Sequence, residues 1–188
     1  MNKSGVPAPA MLPFLGPVLD QQRNVEYREL GTRDLLNRLS SSPMPFGWTV
    51  NPFRGCQVGC VYCYARYTHE FLGHADPMAF ERTIYVKRAD APSLLASLKR
   101  ARRSGLEVAL GTATDPYQPA EAKFRVTRQV LEAARGVPGL RLSITTKSML
   151  GTRDLDLLGE IARRSRRSVN FSLITRDADL TRRLEPRA

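Results

Sequence analysis

Three cysteines, and only three, most constrain what this chain can become: Cys56, Cys60 and Cys63 all fall within the run Cys56-Gln-Val-Gly-Cys60-Val-Tyr-Cys63. Thiolates spaced C-x₃-C-x₂-C on one loop can converge on one face of a metal centre, and soft thiolates select zinc, copper(I) or iron–sulfur clusters. A structural site normally closes its coordination with four protein ligands, whereas a catalytic metal keeps one position open for substrate or water. A set of three therefore points to an open site. The competing assignment is a structural Cys₃His zinc site with His69 or His74 as the fourth ligand, although such modules usually pair two knuckles and this chain carries one. An odd number of cysteines and no secretory signal argue against a disulfide framework.

The 188 residues, 42% of them hydrophobic, suffice for one core and one domain. No apolar run approaches the roughly 20 residues a membrane span needs, and Pro7, Pro9, Pro13 and Pro17 interrupt the stretch where a signal peptide would lie. The expected location is cytoplasmic, where thiols stay reduced. Residues 1–45 read as a Pro-rich arm with a short helix over Gly31–Leu39, ended by the break Ser40-Ser-Ser-Pro-Met-Pro45. Residues 46–188 form the second unit.

There the pattern alternates. Phe46–Val50 reads as the strand that delivers the cysteine loop. Asp90 and Pro92 open a helix with Leu94, Leu95, Leu98 and Ala101 on one face, and Val108–Gly111 is a short apolar strand. Val126, Val130, Leu131 and Ala134 mark the next helix. Leu140, Leu142 and Ile144 alternate as a strand, Leu155, Leu158, Ile161 and Ala162 take helical spacing, and Val169, Phe171 and Leu173 alternate again. Thr83–Lys87 adds a strand in the first connection. Strands separated by helices imply an α/β fold with parallel pairing and right-handed crossovers.

The C-x₃-C-x₂-C spacing with Tyr62 before the last cysteine resembles the cluster loop of radical S-adenosylmethionine enzymes. The runs Asn51-Pro-Phe-Arg-Gly-Cys56, Cys63-Tyr-Ala-Arg66 and Thr68-His-Glu70 resemble more narrowly the branch related to spore photoproduct lyase, a DNA repair enzyme. So do Ala109-Leu-Gly-Thr-Ala-Thr-Asp-Pro-Tyr-Gln-Pro119, Ile144-Thr-Thr-Lys-Ser148 and Ser172-Leu-Ile-Thr175. The resemblance implies a partial (β/α)₆-type barrel, of which this chain would hold about four β/α units, so that it reads as truncated at Leu184-Glu-Pro-Arg-Ala188.

The resemblance further implies that Cys56, Cys60 and Cys63 hold a [4Fe–4S] cluster whose fourth iron chelates S-adenosylmethionine. Reductive cleavage of that cofactor by a ferredoxin- or flavodoxin-type one-electron donor would give a 5′-deoxyadenosyl radical. Tyr62 would flank the adenine, Thr114 and Asp115 would meet the cofactor amino group, and Lys147, Ser148 and Ser172 would meet its carboxylate. The Gly-Thr-Ala-Thr-Asp-Pro run departs from the family's Gly-Gly-Glu motif at that place. The lyase also uses a further cysteine as hydrogen-atom donor, which this chain lacks; either a tyrosine such as Tyr117 takes that catalytic role, or a further C-terminal portion supplies the donor, or the substrate is not a thymine dimer. His69 and Glu70 are candidates to support the cluster loop.

Lys and Arg number 29 against 18 acidic residues, a formal charge of +11, and such a charge attracts polyanions. The basic groups gather in Lys99-Arg-Ala-Arg-Arg103, Arg163-Arg-Ser-Arg-Arg167 and Arg182-Arg183, each near a helix end, where cations also complement the helix dipole. Two function classes result: a radical S-adenosylmethionine enzyme, lyase-like and acting on nucleic acid, or a non-catalytic, zinc-stabilised nucleic-acid-binding module.

Overall fold

Strand β7 (Val108–Leu110) is buried at every position, as expected of a parallel strand covered on both faces. In the computed structural model it lies at the centre of a five-stranded sheet of order β3-β4-β7-β8-β9, with β3 (Leu36–Arg38), β4 (Trp48–Val50), β8 (Arg141–Thr146) and β9 (Arg166–Phe171). The structure describes residues 15–22, 24–40 and 44–188. Strands β4, β7, β8 and β9 are all parallel, in the registers Trp48↔Val108, Val108↔Leu142 and Leu142↔Arg167. Only β3 runs antiparallel, against β4.

The connections follow the sequence pattern. Helix α2 (Ala91–Arg103) begins where the Asp90 side chain accepts from Ser93 N, with Pro92 in the first turn. It turns Leu94, Leu98 and Ala101 into the core. Helix α4 (Val126–Arg135) buries Val126, Val130, Leu131 and Ala134 and packs beside α2. Helix α5 (Leu155–Ala162) packs beside α4 through Leu157, Leu158 and Ile161. Leu155 and Ala162, expected on its inner face, are exposed, because a 3₁₀ turn over Met149–Asp154 leads into the helix and sets its rotation. Between β7 and α4 a short helix, α3 (Pro119–Phe124), ends at Arg125, whose φ of 53° turns the chain directly into α4.

A second sheet of order β1-β2-β6-β5 lies against the first, built from β1 (Leu15–Gln22), β2 (Val25–Gly31), β5 (Phe53–Arg54) and β6 (Thr83–Arg88). Helix α1 (Ala79–Arg82) leads into β6. One apolar cluster takes Tyr27, Phe53, Ile84 and Val86 from this sheet together with Val50, Leu110, Leu142 and Ile144 from the other. The strand expected at Thr83–Lys87 therefore forms, but in the second sheet, parallel to β2.

Ahead of residue 46 the structure corrects the sequence reading. Residues 1–14 of the Pro-rich arm, with Pro7, Pro9 and Pro13, and residues 41–43 of the helix-breaking run lie outside the described residues. From Leu15 onward the chain forms β1 and β2, and Gly31–Leu39 holds no helix: Gly31 ends β2 and Leu36–Arg38 forms β3. Asp34 explains the difference. Its carboxylate accepts from Leu36 N at 2.9 Å, a local turn that competes with helix, and from Ser97 Oγ and Arg100 Nη2 of α2 at 2.7 and 2.6 Å. Among the described residues no helix is long and apolar enough to cross a membrane.

Leu98 has no solvent exposure, so Leu98→Ala is expected to cost about 2–5 kcal/mol of stability. Arg103→Ala, on the solvent side of the same helix, is expected to stay within about 0.5 kcal/mol. Urea unfolding midpoints of the two variants check the contrast.

Candidate active site

In open α/β sheets ligands sit beyond the carboxyl ends of the strands, and the chemistry-bearing residues of this chain gather there. A cavity of about 140 Å³ is lined by Cys56, Cys60 and Cys63 from the loop after β5, by Thr112–Asp115 after β7, by Thr145–Lys147 ending β8, and by Ser172 after β9. Cys56 and Cys60 are buried, Cys63 half-buried, and all three are free thiols.

The cysteine loop is buried without being part of a sheet, so its backbone needs partners from elsewhere. Gly55 O accepts from Thr114 Oγ1 at 2.7 Å and from Gln118 Nε2 at 3.1 Å. Gln57 N donates to Gln118 Oε1 at 2.9 Å, and the Gln57 amide spans from Tyr27 Oη at 3.0 Å to Ala120 N at 2.8 Å. Asn51 Oδ1 accepts from Ala113 N at 2.8 Å. Two glycines make the path possible. Gly55 has φ 93°, and a Cβ there would lie 2.9 Å from Phe80 O and Thr83 O; Gly59 has φ 72°.

His69 backs this loop from the 3₁₀ segment Tyr64–Leu72. It is buried, its Nε2 lies 2.9 Å from Thr83 O, and its ring packs edge-on to Phe80 and tilted against Tyr85 and His74. Its Nδ1 is buried with no hydrogen-bond partner among the described residues. Burial draws its pKa down to about 4, with His74 and Arg54 acting in the same sense against the Thr83 carbonyl. His74 Nε2 is taken by Tyr85 Oη at 2.7 Å. The Nε2 of each imidazole is thus committed away from the cysteines. Among the described residues no three His, Cys, Asp or Glu side chains gather closely enough for a single metal ion.

The remaining sequence candidates separate into two groups. Lys147 and Ser172 line the cavity and are bonded, Lys147 Nζ donating to Ser172 Oγ at 2.8 Å. Thr114 and Asp115 also line it, but their polar atoms are engaged. Thr114 Oγ1 serves Gly55 and Gln118, and the Asp115 carboxylate accepts from Tyr117 N, Thr146 Oγ1 and Lys147 N at 2.9, 2.7 and 2.7 Å. Asp115 therefore ties the β7 loop to the end of β8. Asp115 N also points at Cys56 Sγ, 3.4 Å away. Tyr62 is outside the lining; its hydroxyl donates to Glu185 and Lys147 Nζ sits 5.8 Å from its ring centroid. Ser148 caps the turn at Met149 by accepting from Leu150 N at 3.2 Å, and does not line the cavity.

Tyr117 does not reach the site. It is 1% exposed, its ring lies against Gly151, and its hydroxyl has no hydrogen-bond partner among the described residues. Burial and the Asp154 and Glu121 carboxylates push its pKa up. A hydrogen-atom donor must touch its acceptor, so this geometry does not suit the role assigned from sequence. The tyrosine on the cavity wall is Tyr64, which sequence reasoning passed over and whose hydroxyl donates to Thr112 O.

Electrostatically the loop is braced by carboxylates. Glu81, 4% exposed, holds Arg66, whose Nη2 also donates to Cys60 O at 2.9 Å. Lys147 Nζ lies 2.6 Å from Glu185 Oε1. Burial lowers the Lys147 pKa, but Glu185 and Tyr62 outweigh it and the net shift is upward. Burial pushes the Cys56 thiol up to about 12, against the opposing Asp115 and Val58 amides, so metal uptake must displace its proton. These residues suit a thiolate-ligated cluster with one ligand position open: three cysteines around one cavity, an amide aimed at one sulfur, and no fourth thiol in the chain.

The radical SAM superfamily model matches residues 50–188, the greater part of the chain, and the chain belongs to that superfamily of enzymes. Membership implies a [4Fe–4S] cluster, S-adenosylmethionine and a reductant. An uncharacterized protein of Mycobacterium tuberculosis is 38% identical over 162 residues, 86% of this chain and 47% of that protein. One of Methanocaldococcus jannaschii is 28% identical over 139 residues, 74% of this chain and 49% of that protein. One of Acidianus two-tailed virus is 29% identical over 146 residues, 76% and 47% of the two chains. The chain spans about half the length of the curated relatives it matches. No solved structure gives a significant match.

The depressed pKa of His69 generates a stability prediction. A histidine held neutral in the fold lets the unfolded chain take the proton first, so its contribution is complete above pH 6.5 and is lost as pH falls from 6.5 towards 4. Over that window the loss is expected to reach about 3 kcal/mol. Urea unfolding of the wild type and of His69→Phe at a series of pH values checks this, the variant showing the flatter profile.

Proposed function

We propose that this chain is the cluster- and cofactor-binding part of a radical S-adenosylmethionine enzyme acting on nucleic acid, in the manner of the spore photoproduct lyase-related branch its motifs resemble. On this reading β4, β7, β8 and β9 are the first four strands of a (β/α)₆-type barrel, and the enzyme works in the reducing cytoplasm. The observation that carries the reading is a cavity beyond the strand ends, with three cysteines on one wall and Lys147 and Ser172 on another. When bound, the cluster and S-adenosylmethionine supply one-electron cleavage of a C5′–S bond to a 5′-deoxyadenosyl radical, with a ferredoxin- or flavodoxin-type donor providing the electron.

The chain's own residues have defined tasks in this scheme. Cys56, Cys60 and Cys63 hold the irons. The Gln57–Gln118 clamp and Asn51 fix the loop so that the three sulfurs keep their relative positions. Lys147, with its ammonium beside Ser172, is the charge for the cofactor carboxylate. Thr114 and Asp115 border the same cavity beside the place of the cofactor amino group, but their oxygens are already committed, Thr114 Oγ1 to Gly55 and Gln118 and the Asp115 carboxylate to Tyr117, Thr146 and Lys147. The apolar side chains of Val58, Ala65 and Ala113 line it too and help exclude water from the reacting bond. The net charge of +11 draws polyanions to the chain as a whole, and this is the support for nucleic acid as the substrate class, although the clusters Lys99–Arg103 and Arg163–Arg167 lie at the end of the sheet away from the cavity.

Anaerobic reconstitution tests the reading. The protein is expected to take up about four irons with matching sulfide, and the EPR signal of the dithionite-reduced protein is expected to change when S-adenosylmethionine is added. Cys56→Ala, Cys60→Ala and Cys63→Ala are each expected to abolish cofactor cleavage. One zinc per chain and no iron would overturn the assignment. Lys147→Ala is expected to retain the cluster and to weaken S-adenosylmethionine binding roughly tenfold, the size of one charge-assisted hydrogen bond, as measured by calorimetric titration.

A further inference from the structure

The residues that follow helix α6 (Ala178–Leu184) cross directly over the cysteine loop. Val61 N donates to Leu184 O at 3.0 Å, and Arg187 N donates to Val58 O at 3.2 Å, so the two segments are stitched by backbone bonds from both sides. Arg187 Nη1 reaches Gln57 O at 3.1 Å and stands 3.8 Å from Glu81. Pro186 packs where Gly59 has no side chain. Within this strap Glu185 is turned inward, its side chain 3% exposed. Its Oε1 lies 2.6 Å from Lys147 Nζ and accepts the Tyr62 hydroxyl. One buried carboxylate thus occupies the cation on the cavity wall.

We propose that Glu185 is an internal latch: its carboxylate stands in for the carboxylate of S-adenosylmethionine on Lys147, and the strap Leu184–Arg187 must lift from the cysteine loop for the cofactor to bind. The inference rests on the reading that Lys147 receives the cofactor carboxylate. The strap is built to come away. Helix α6 buries none of its residues, so no apolar core opposes its release, and segments held by few buried contacts open at low free-energy cost. The Glu185 carboxylate itself is held by one ion pair and one hydroxyl, and the strap around it by the two backbone bonds to the cysteine loop and the Arg187 contacts. A carboxylate delivered by a ligand can take the place of Glu185 as the anion facing Lys147, whereas an uncharged ligand offers the half-buried Lys147 no replacement for it. The cofactor and the strap are then mutually exclusive on Lys147, and their coupling is reciprocal.

Two measurements on the full chain, reconstituted anaerobically, test this. Calorimetric titration with S-adenosylmethionine is expected to give a dissociation constant roughly five- to tenfold lower for Glu185→Gln than for the wild type. Hydrogen exchange on the unaltered protein is expected to show the Val61 and Arg187 amides exchanging faster once S-adenosylmethionine is present, a readout that needs no variant to fold. Weaker binding by Glu185→Gln together with slower exchange at those amides would mean that Glu185 positions Lys147 and that the strap is a lid, which overturns the latch. Unchanged affinity and exchange would overturn it as well. If neither protein binds the cofactor although the cluster is in place, the assignment of Lys147 fails and the latch fails with it. Lys147→Ala binding as tightly as wild type, with the Val61 and Arg187 amides still released, would remove the Lys147 reading while leaving the strap's movement standing.

Discussion

The structure depends on solving one problem: a loop that carries three thiols must be buried deeply enough to shield them, yet it belongs to no sheet that would satisfy its backbone. Gln118, with no solvent exposure, and Gln57 solve it together. Each side-chain amide presents a donor at one end and an acceptor at the other. Gln118 uses both on the Gly55–Gln57 backbone, and Gln57 uses both on Tyr27 and Ala120. The bonds join the loop to β2 on one side and to α3 on the other. Removing either amide would strand buried donors and acceptors, which costs more than the bond itself contributes. The glycines follow from the same constraint, because a loop clamped this closely has no space for a Cβ at Gly55.

A second network holds the floor beneath the site. Glu121 and Asp154 are both fully buried, and Arg153 bridges them at 2.7 and 2.8 Å. Glu121 also accepts from Thr127 N and Arg128 N, which caps α4 where Arg125 leaves the start of the helix with no side-chain cap. Arg128 joins Asp154 to Asp156. Buried charges are tolerated only when paired and hydrogen-bonded, and here each of the two buried carboxylates, Glu121 and Asp154, has at least two partners. The network fixes α3, α4 and the turn before α5 relative to one another. It therefore also fixes Thr112–Asp115 and Thr145–Lys147, which enter the cavity from the strands those helices connect.

How much of this was legible in the sequence divides along the range of the interactions. The cysteine loop announced its chemistry through spacing alone, and α2, α4, α5, β4, β7, β8 and β9 followed from local periodicity. The second sheet was hidden because β2 pairs with β6 across more than fifty residues of chain, and nothing local says that Leu35 and Leu36 face a core as strand and turn instead of helix. Asp34 overrides the helical pattern by its own side chain. Tyr117 and Tyr64 show the same limit at the site. Both lie in cysteine-loop or cavity-edge motifs, but facing is decided by packing: Gly151 admits one ring to the core, while Thr112 O holds the other at the cavity. Glu185 was unreadable, since its contact with Tyr62 spans 123 positions.

The placement of positive charge bears on how a polyanion would approach. Lys99–Arg103 and Arg163–Arg167 lie at the ends of α2 and α5, which feed the starts of β7 and β9. In a parallel sheet those starts are the end remote from the cavity. Cations there complement the carboxyl ends of the helices, and with a screening length of about 8 Å at physiological salt they act weakly on a ligand at the opposite face. The cations near the cavity are few and mostly committed: Arg66 to Glu81, Lys147 to Glu185 and Arg187 to the cysteine loop. Arg182 and Arg183 sit on α6, which leads directly into the strap that the latch would release. If the strap lifts, Arg187 leaves the cysteine loop with it and Arg182 and Arg183 move with the helix that leads into it, so cofactor entry and the local field felt by an anionic substrate would be governed by one movement.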